Sequence, residues 1–386
     1  MLTLIHGGTL YTPAEGGQQD LLLAAGKIVK IAKRIDVPRS LDPEVVEAEG
    51  KFLTPGFIDL HVHITRGGGE GGPATRVPEI QLSHITRAGV TTVLGLLGTD
   101  DVSRHPESLL AKAMGLEQEG ISAFILTGSY QLPPATITGS VRKDVALIPH
   151  VVGVGEIAVS DHRSSQPTFE ELARVAAEAR VGGMLGGKAG LVQLHIGEGA
   201  RGLEYQFRLV EETEIPIGQF LPTHVTRTPA VFEHAVRFAQ IGGGVDITAA
   251  GKRLSWRMGV GEALRRLLSA GVPMERITLS SDSNGSMPLF DEKGALIGLA
   301  VGEIANLHRE FRRLIAEEGF PVSDVLTTVT MNPAKRIRID GWKGSLEEGK
   351  DADLVVFDAD WSIDRVYARG RLMVSGGEPV VKGTFE

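Results

Sequence analysis

Over the first fifty residues, apolar positions come in short clusters at 3–6, 21–24 and 28–31, separated by Gly-Gly, Pro and Gly-Lys turn signals. Clusters of that length with that punctuation predict small antiparallel strands. From about Thr54 the rhythm changes, and eight β-rich apolar runs follow at 56–63, 90–97, 121–129, 151–159, 191–196, 217–225, 245–249 and 277–281. Amphipathic stretches lie between them. One is 169–180, introduced by Thr168 with Glu171 three residues on, the pattern of a capping box; another is 229–240, with a proline in its first turn. Eight strand–helix alternations predict an α/β fold of the (β/α)8 TIM-barrel type, because parallel strands need right-handed helical crossovers and a closed sheet has no edges. A doubly wound open sheet is the alternative. After a helical region at 299–337 the short-strand rhythm returns at 352–357, 363–368 and 371–374. The two ends of the chain are expected to pair into one small β-sandwich domain, residues 1–52 plus 341–386, with the barrel, 53–340, inserted between them.

Composition narrows the chemistry. The 386 residues are 42% hydrophobic and 23% charged, which excludes a disordered or fibrous chain. Forty basic against forty-eight acidic side chains leave a net charge of −8, which argues against a nucleic-acid-coating protein or a polybasic membrane binder. No leader-like basic segment opens the chain and no apolar run approaches a membrane span, so a cytoplasmic protein is expected. There are no cysteines, so any transition metal must be held by imidazole and carboxylate.

The strongest local signal is His61-Val62-His63 at the end of an apolar run. Side chains two apart on a strand share a face, and a rise of about 3.3 Å per residue sets these imidazoles roughly 6–7 Å apart at their backbones, close enough to converge on one ion. They also stand where strand gives way to loop, the end at which barrels build active sites. Further ligand types recur at or near later strand ends: Glu156, His195, His224 and Asp282. Six such side chains would enclose two divalent ions, with one carboxylate bridging them. The other seven histidines lie in helical stretches, loops or the terminal segments, and read as surface or hydrogen-bonded imidazoles.

The stretch from Leu53 to His63 (LTPGFIDLHVH), the later histidines with Asp282, and the closing GKDADLVVF from Gly349 resemble the amidohydrolase superfamily. More narrowly, RGGGE at Arg66, GLLGTD at Gly95, SDHRS at Ser160, PTHVTR at Pro222 and SSDSNGS at Ser280 are similar to its isoaspartyl (β-aspartyl) dipeptidases, as is VYARG at Val366. The resemblance implies that His61, His63 and Asp282 hold one metal ion and His195 and His224 a second. It implies zinc as the ion, a small dipeptide as the substrate, and a homo-octamer as the assembly. The family's usual bridge is a carboxylated lysine; here the alignment of the SDHR motif puts Glu156 at that position, a side chain that brings its own carboxylate. A hydroxide bridging two divalent ions is a nucleophile near neutral pH, Asp282 would shuttle its proton, and Tyr130 resembles the family's oxyanion-stabilising tyrosine. Glu70 is placed by the resemblance to take the substrate ammonium, Arg163 and Arg227 to clamp carboxylates, and Gly68, Thr99 and Ser286 to hydrogen-bond the other end of the substrate.

Two other enzymatic readings are a dihydropyrimidinase-like cyclic amidase and an N-acyl amino acid deacylase; the charged residues Glu70, Arg163 and Arg227 speak against a neutral cyclic substrate. A non-catalytic scaffold barrel is a reading from another class, but all six ligand positions carry competent side chains. Residues 182–189 spell G-x-x-x-x-G-K-A, short of a phosphate-binding loop by its Ser/Thr, and are read as a turn between a helix and the strand at 191–196.

Overall fold

The structure is a computed structural model that describes residues 2–249, 258–290 and 296–386. Eight of its strands correspond to the eight apolar runs: β1 (Phe57–Val62), β2 (Val90–Gly95), β3 (Ser122–Thr127), β4 (Val151–Val159), β5 (Leu191–Ile196), β6 (Phe220–Thr223), β7 (Val245–Thr248) and β8 (Ile277–Ser280). β1 to β6 pair in sequence order and in parallel, each with the next, and β7 pairs with β8 in the same sense. Every position of these strands except Phe124 is buried, as expected of strands covered on both faces. A parallel bridge between Val62 and Ser283, reinforced by His63 N–H donating to Ser283 C=O at 2.9 Å, fastens the last strand to the first. Side chains span the other seam: Thr223 Oγ1 donates to Asp246 at 2.8 Å, and His224 Nδ1 meets Thr248 Oγ1 at 2.8 Å.

Helices follow the strands as the alternation predicts. The Thr168 capping box is formed: Glu171 N–H donates to Thr168 Oγ1 at 3.3 Å, while Thr168 N–H donates to the Glu171 carboxylate at 2.8 Å. The helix it opens, Phe169–Gly186, runs past the expected end, so the glycines of the decoy motif are its last turn, closed by Gly187 in the left-handed conformation at φ 65°. Two boundaries differ for local reasons. The run at 217–225 begins as a 3-10 turn, Ile217–Gln219, behind Pro216, and the strand proper is four residues long. Residues 299–301 are not helical, because they end a hairpin of Ser286–Phe290 with Leu296–Val301; the helix starts only at Ala305.

Both chain ends meet in one hydrogen-bonded sheet of nine strands. Leu2–Tyr11 pairs antiparallel with Glu15–Ala24, as expected, but parallel with Glu44–Glu47 and Phe52–Pro55. Phe52–Pro55 then pairs with Leu354–Phe357, which carries the C-terminal strands. This sheet keeps a core of its own, including Ile5, Leu21, Leu53, Leu354 and Tyr367. Phe57 joins it to the barrel, its ring 5.1 Å from Phe311 and 6.1 Å from Phe357. Phe57→Ala should therefore cost about 3–5 kcal/mol of stability, the range for emptying a buried aromatic site. Denaturant unfolding measures it; a loss below about 1 kcal/mol would mean that the seam collapses around the cavity.

Candidate metal centre

The C-terminal ends of the barrel strands deliver all six expected ligands to one buried cluster. His61 lies in β1, with His63 one residue past it. Glu156 sits within β4, His195 is next to last in β5, and His224 and Asp282 follow β6 and β8. His224 and Asp282 stand in the left-handed region, at φ 61° and 53°, which turns their side chains back over the barrel axis. Three ligand groups result: His61, His63 and Glu156; His61, His224 and Asp282; and Glu156, His195 and His224.

Glu156 holds the groups together through its two oxygens. Oε1 is 3.3 Å from His61 Nε2 and 3.6 Å from His63 Nε2, whereas Oε2 is 2.9 Å from His195 Nδ1 and 3.5 Å from His224 Nε2. Asp282 Oδ1 completes the first side, 3.5 Å from His61 Nε2 and 3.3 Å from His63 Nε2. Glu156 Oε1 and His61 Nε2 are buried without a hydrogen-bond partner, as are the Nδ1 atoms of both His61 and His63. Buried polar atoms without partners are costly, and two of these, Glu156 Oε1 and His61 Nε2, face each other 3.3 Å apart among the other nitrogen and oxygen donors of the cluster. The residues present therefore fit divalent metal ions held by imidazole and carboxylate.

The electrostatics agree with that fit. Burial works to raise the Glu156 carboxyl, but the charge of His61 and hydrogen bonds from His195 and His224 hold it well below the usual carboxylate range. Burial likewise acts against charging His61, yet Glu156 and Asp282 raise it to about 9. Burial pushes His195 and His224 down, aided by the nearby Arg227 charge, so both are neutral and able to ligate. A metal ion bound at His61 competes with the proton there, so affinity for it rises with pH.

Around this centre the expected substrate residues come together. Glu70 accepts hydrogen bonds from Thr99 Oγ1 at 3.1 Å and Ser286 Oγ at 2.9 Å, and its carboxylate lies 3.6 Å from Arg163 Nη1. Gly68, at φ 75°, leaves no room for a side chain: a Cβ there would sit 2.4 Å from Thr75 C=O. Tyr130 Oη is 2.7 Å from His195 Nδ1, and burial together with Glu156 pushes its phenol well above 10, so it stays a proton donor. Arg227 Nη1 lies 3.0 Å from His195 Nε2. A cavity of about 860 Å³ opens beside them, lined in part by Glu70, Arg163, Arg227, Asp282 and Ser286.

The structure brings further residues to the site. Asp59 shares the alternating face of His61 and His63, a signal already present in the sequence. Its Oδ1 accepts the N–H groups of His61 and Ser281, each at 3.1 Å, tying β1 to the Asp282 loop, while burial raises its carboxyl to about 6. Arg104 donates to the carbonyls of Gly68 at 3.0 Å and Gly67 at 2.9 Å, bracing the loop that carries Glu70. Asp161 accepts from Arg163 and lies against His195. His162 is exposed and lines the cavity. Gly285 permits the Asp282 rotamer, since a Cβ there would stand 2.5 Å from Asp282 Oδ1. Gly285→Ala should lower kcat by roughly 100-fold, the scale of an ångström-sized misplacement in a catalytic site. Steady-state kinetics on folded protein measures it, and an unchanged kcat would show that Asp282 tolerates the shift.

A parallel barrel with six imidazole and carboxylate ligands at its C-terminal rim defines a class of metal-dependent hydrolases. The amidohydrolase family pattern matches residues 52–380, and the chain belongs to that family. Within it, the β-aspartyl dipeptidase of Fervidobacterium islandicum AW-1, solved in complex with a β-Asp-Leu dipeptide, is 42% identical with a TM-score of 0.90, covering 98% of both chains. A D-hydantoinase superposes with a TM-score of 0.72 at 18% identity over 100% of this chain and 97% of its own, a likeness of fold. The dihydroorotase of Lactococcus lactis subsp. lactis is 24% identical over 93% of this chain and 90% of its own.

Proposed function

We infer that this protein hydrolyses β-aspartyl dipeptides with the help of divalent metal ions. The observation that carries the reading is the placement of Glu156, whose two oxygens face two separate histidine pairs beside a charged substrate cleft. Ions bound there supply water activation at neutral pH and polarisation of the amide carbonyl. Asp282 then receives the proton of the attacking water and passes it to the leaving nitrogen as the C–N bond breaks. Burial raises its carboxyl, but His224, a hydrogen bond from His63 and His61 outweigh that and hold it below its ordinary range, leaving it ionised as a proton acceptor. Tyr130 donates towards the oxygen of the carbonyl under attack.

The substrate carries one ammonium and two carboxylates. Glu70 supports the ammonium, and its two hydroxyl donors, Thr99 and Ser286, fix its orientation. Arg163 and Arg227 supply the countercharge for the carboxylates, and the Gly68 backbone lets the substrate approach closely. Zinc as the ion, Glu156 in place of a carboxylated lysine, a homo-octameric assembly and a cytoplasmic setting belong to the same proposal. So does a two-part division, with residues 1–52 and 341–386 forming a sandwich-like domain beside the 53–340 barrel.

The test is an assay of metal-replete protein on β-Asp-Leu, α-Asp-Leu and dihydrouracil. Turnover of the first alone supports the reading; a preference for dihydrouracil would transfer it to the cyclic amidases. Added bicarbonate should leave the rate unchanged, because Glu156 needs no carboxylation.

A further inference from the structure

Asp161, on the loop after β4, takes no part in the reaction outlined above, yet it is buried at the meeting point of the substrate cleft and the metal centre. Arg163 donates to it from Nε at 2.9 Å and from Nη2 at 2.8 Å, a two-pronged grip on both oxygens, and the Arg163 backbone N–H adds a bond to Oδ1 at 2.8 Å. Oδ2 also lies 3.1 Å from His195 Nε2 and 3.5 Å from Arg227 Nη1. One carboxylate therefore touches both arginines offered to the substrate. It also touches the rear nitrogen of an imidazole whose front nitrogen faces Glu156.

We propose that Asp161 is a positioning residue that couples the two arginines to the second-ion site, so that the hold on that ion and the hold on the substrate carboxylates are set by one side chain. An imidazole that ligates through one nitrogen is oriented, and made more basic, by an acceptor at the other. Asp161 is the acceptor that His195 Nε2 faces. The same nitrogen has Arg163 Nη2 at 3.2 Å and Arg227 Nη1 at 3.0 Å, so two guanidinium groups crowd one imidazole. The Asp161 charge draws both towards itself, offsets their mutual repulsion and fixes their planes. Forks held in this way need little further ordering when a carboxylate arrives, which favours binding.

The backbone keeps the arrangement stiff. Ser160, at φ 54°, turns the chain over the barrel, and Gly199 N–H donates to Ser160 C=O at 2.7 Å, locking this loop onto the one that follows His195. Gly197 packs so closely that a Cβ there would be 2.5 Å from Asp161 Cβ.

The proposal rests on the two-ion reading of the centre and adds the residue that links ion to substrate. Its test compares wild-type protein with Asp161→Asn, which preserves shape and removes charge. Zinc binding by equilibrium dialysis, KM and kcat on β-Asp-Leu at saturating zinc, and thermal unfolding are measured on each. Wild type should bind two zinc ions. Asp161→Asn should keep the first ion at wild-type affinity and bind the second about 10–100-fold more weakly, the usual cost of removing such a partner from a ligating histidine. Its KM should rise about tenfold or more, as for loss of a hydrogen bond to a charged group. The double variant with Arg227→Lys should lose less than the product of the single losses, because both act on one unit. Wild-type zinc binding with KM within twofold in folded Asp161→Asn overturns the proposal. If Asp161→Asn does not fold, Asp161→Glu, which keeps the charge and moves the carboxylate by one methylene, is judged by the same two quantities. A wild-type protein that binds fewer than two ions overturns the reading beneath it.

Discussion

Replacing Asp282 by asparagine is expected to lower kcat on β-Asp-Leu by about 10²–10⁴-fold, the contribution of a positioned acid–base group. The fold should survive the change. Asp282 lies in the left-handed region at φ 53°, a conformation that asparagine tolerates better than most residues. The substitution also keeps the volume that Gly285 leaves free. The amide loses the charge and the proton affinity, while its oxygen can still face His61 and His63. KM should change much less than kcat, because Asp282 acts on the reacting atoms more than on the ends of the substrate. Steady-state kinetics and a thermal melt on the same preparation separate these effects. A kcat within tenfold of wild type would remove Asp282 from the proton transfer.

Glu156→Gln is expected to cost the second ion and with it at least about 100-fold in kcat, the upper end of what losing even an outer partner of a metal ligand costs. Glutamine offers one acceptor oxygen and one donor nitrogen, so it can satisfy one histidine pair and must present N–H to the other. It also removes the negative charge that lifts His61 and keeps the cluster attractive to cations. Metal analysis should find about one ion per chain where wild type holds two. Retention of both ions in Glu156→Gln would show that the bridge lies elsewhere.

Much of this arrangement is legible in the sequence because the fold imposes strong periodicities. Buried parallel strands read as continuous apolar runs, and the ligands fall where those runs end, so His61, His63, His195, His224 and Asp282 stand out before any geometry is known. Glu156 is found through its spacing to the SDHR motif. The residues that were missed act through contacts between distant segments. Arg104 braces carbonyls more than thirty residues upstream. Asp161 was in view within that motif, but its role depends on where His195 and Arg227 arrive. Strand order in the terminal sheet is hidden for the same reason: nothing local says that Leu2–Tyr11 pairs in parallel with Glu44–Glu47. Residues 299–301, the end of the hairpin, read as the start of a helix because the apolar row exposed at Ile297, Leu299 and Val301 is too short to show its period.

The most direct test of the central claim is the metal content of purified protein, stripped with a chelator and reloaded with zinc, manganese or cobalt. A barrel rim built as described should retain two ions per chain, with release of protons on loading. Folded protein that has been offered each ion and retains fewer than two per chain would contradict the account.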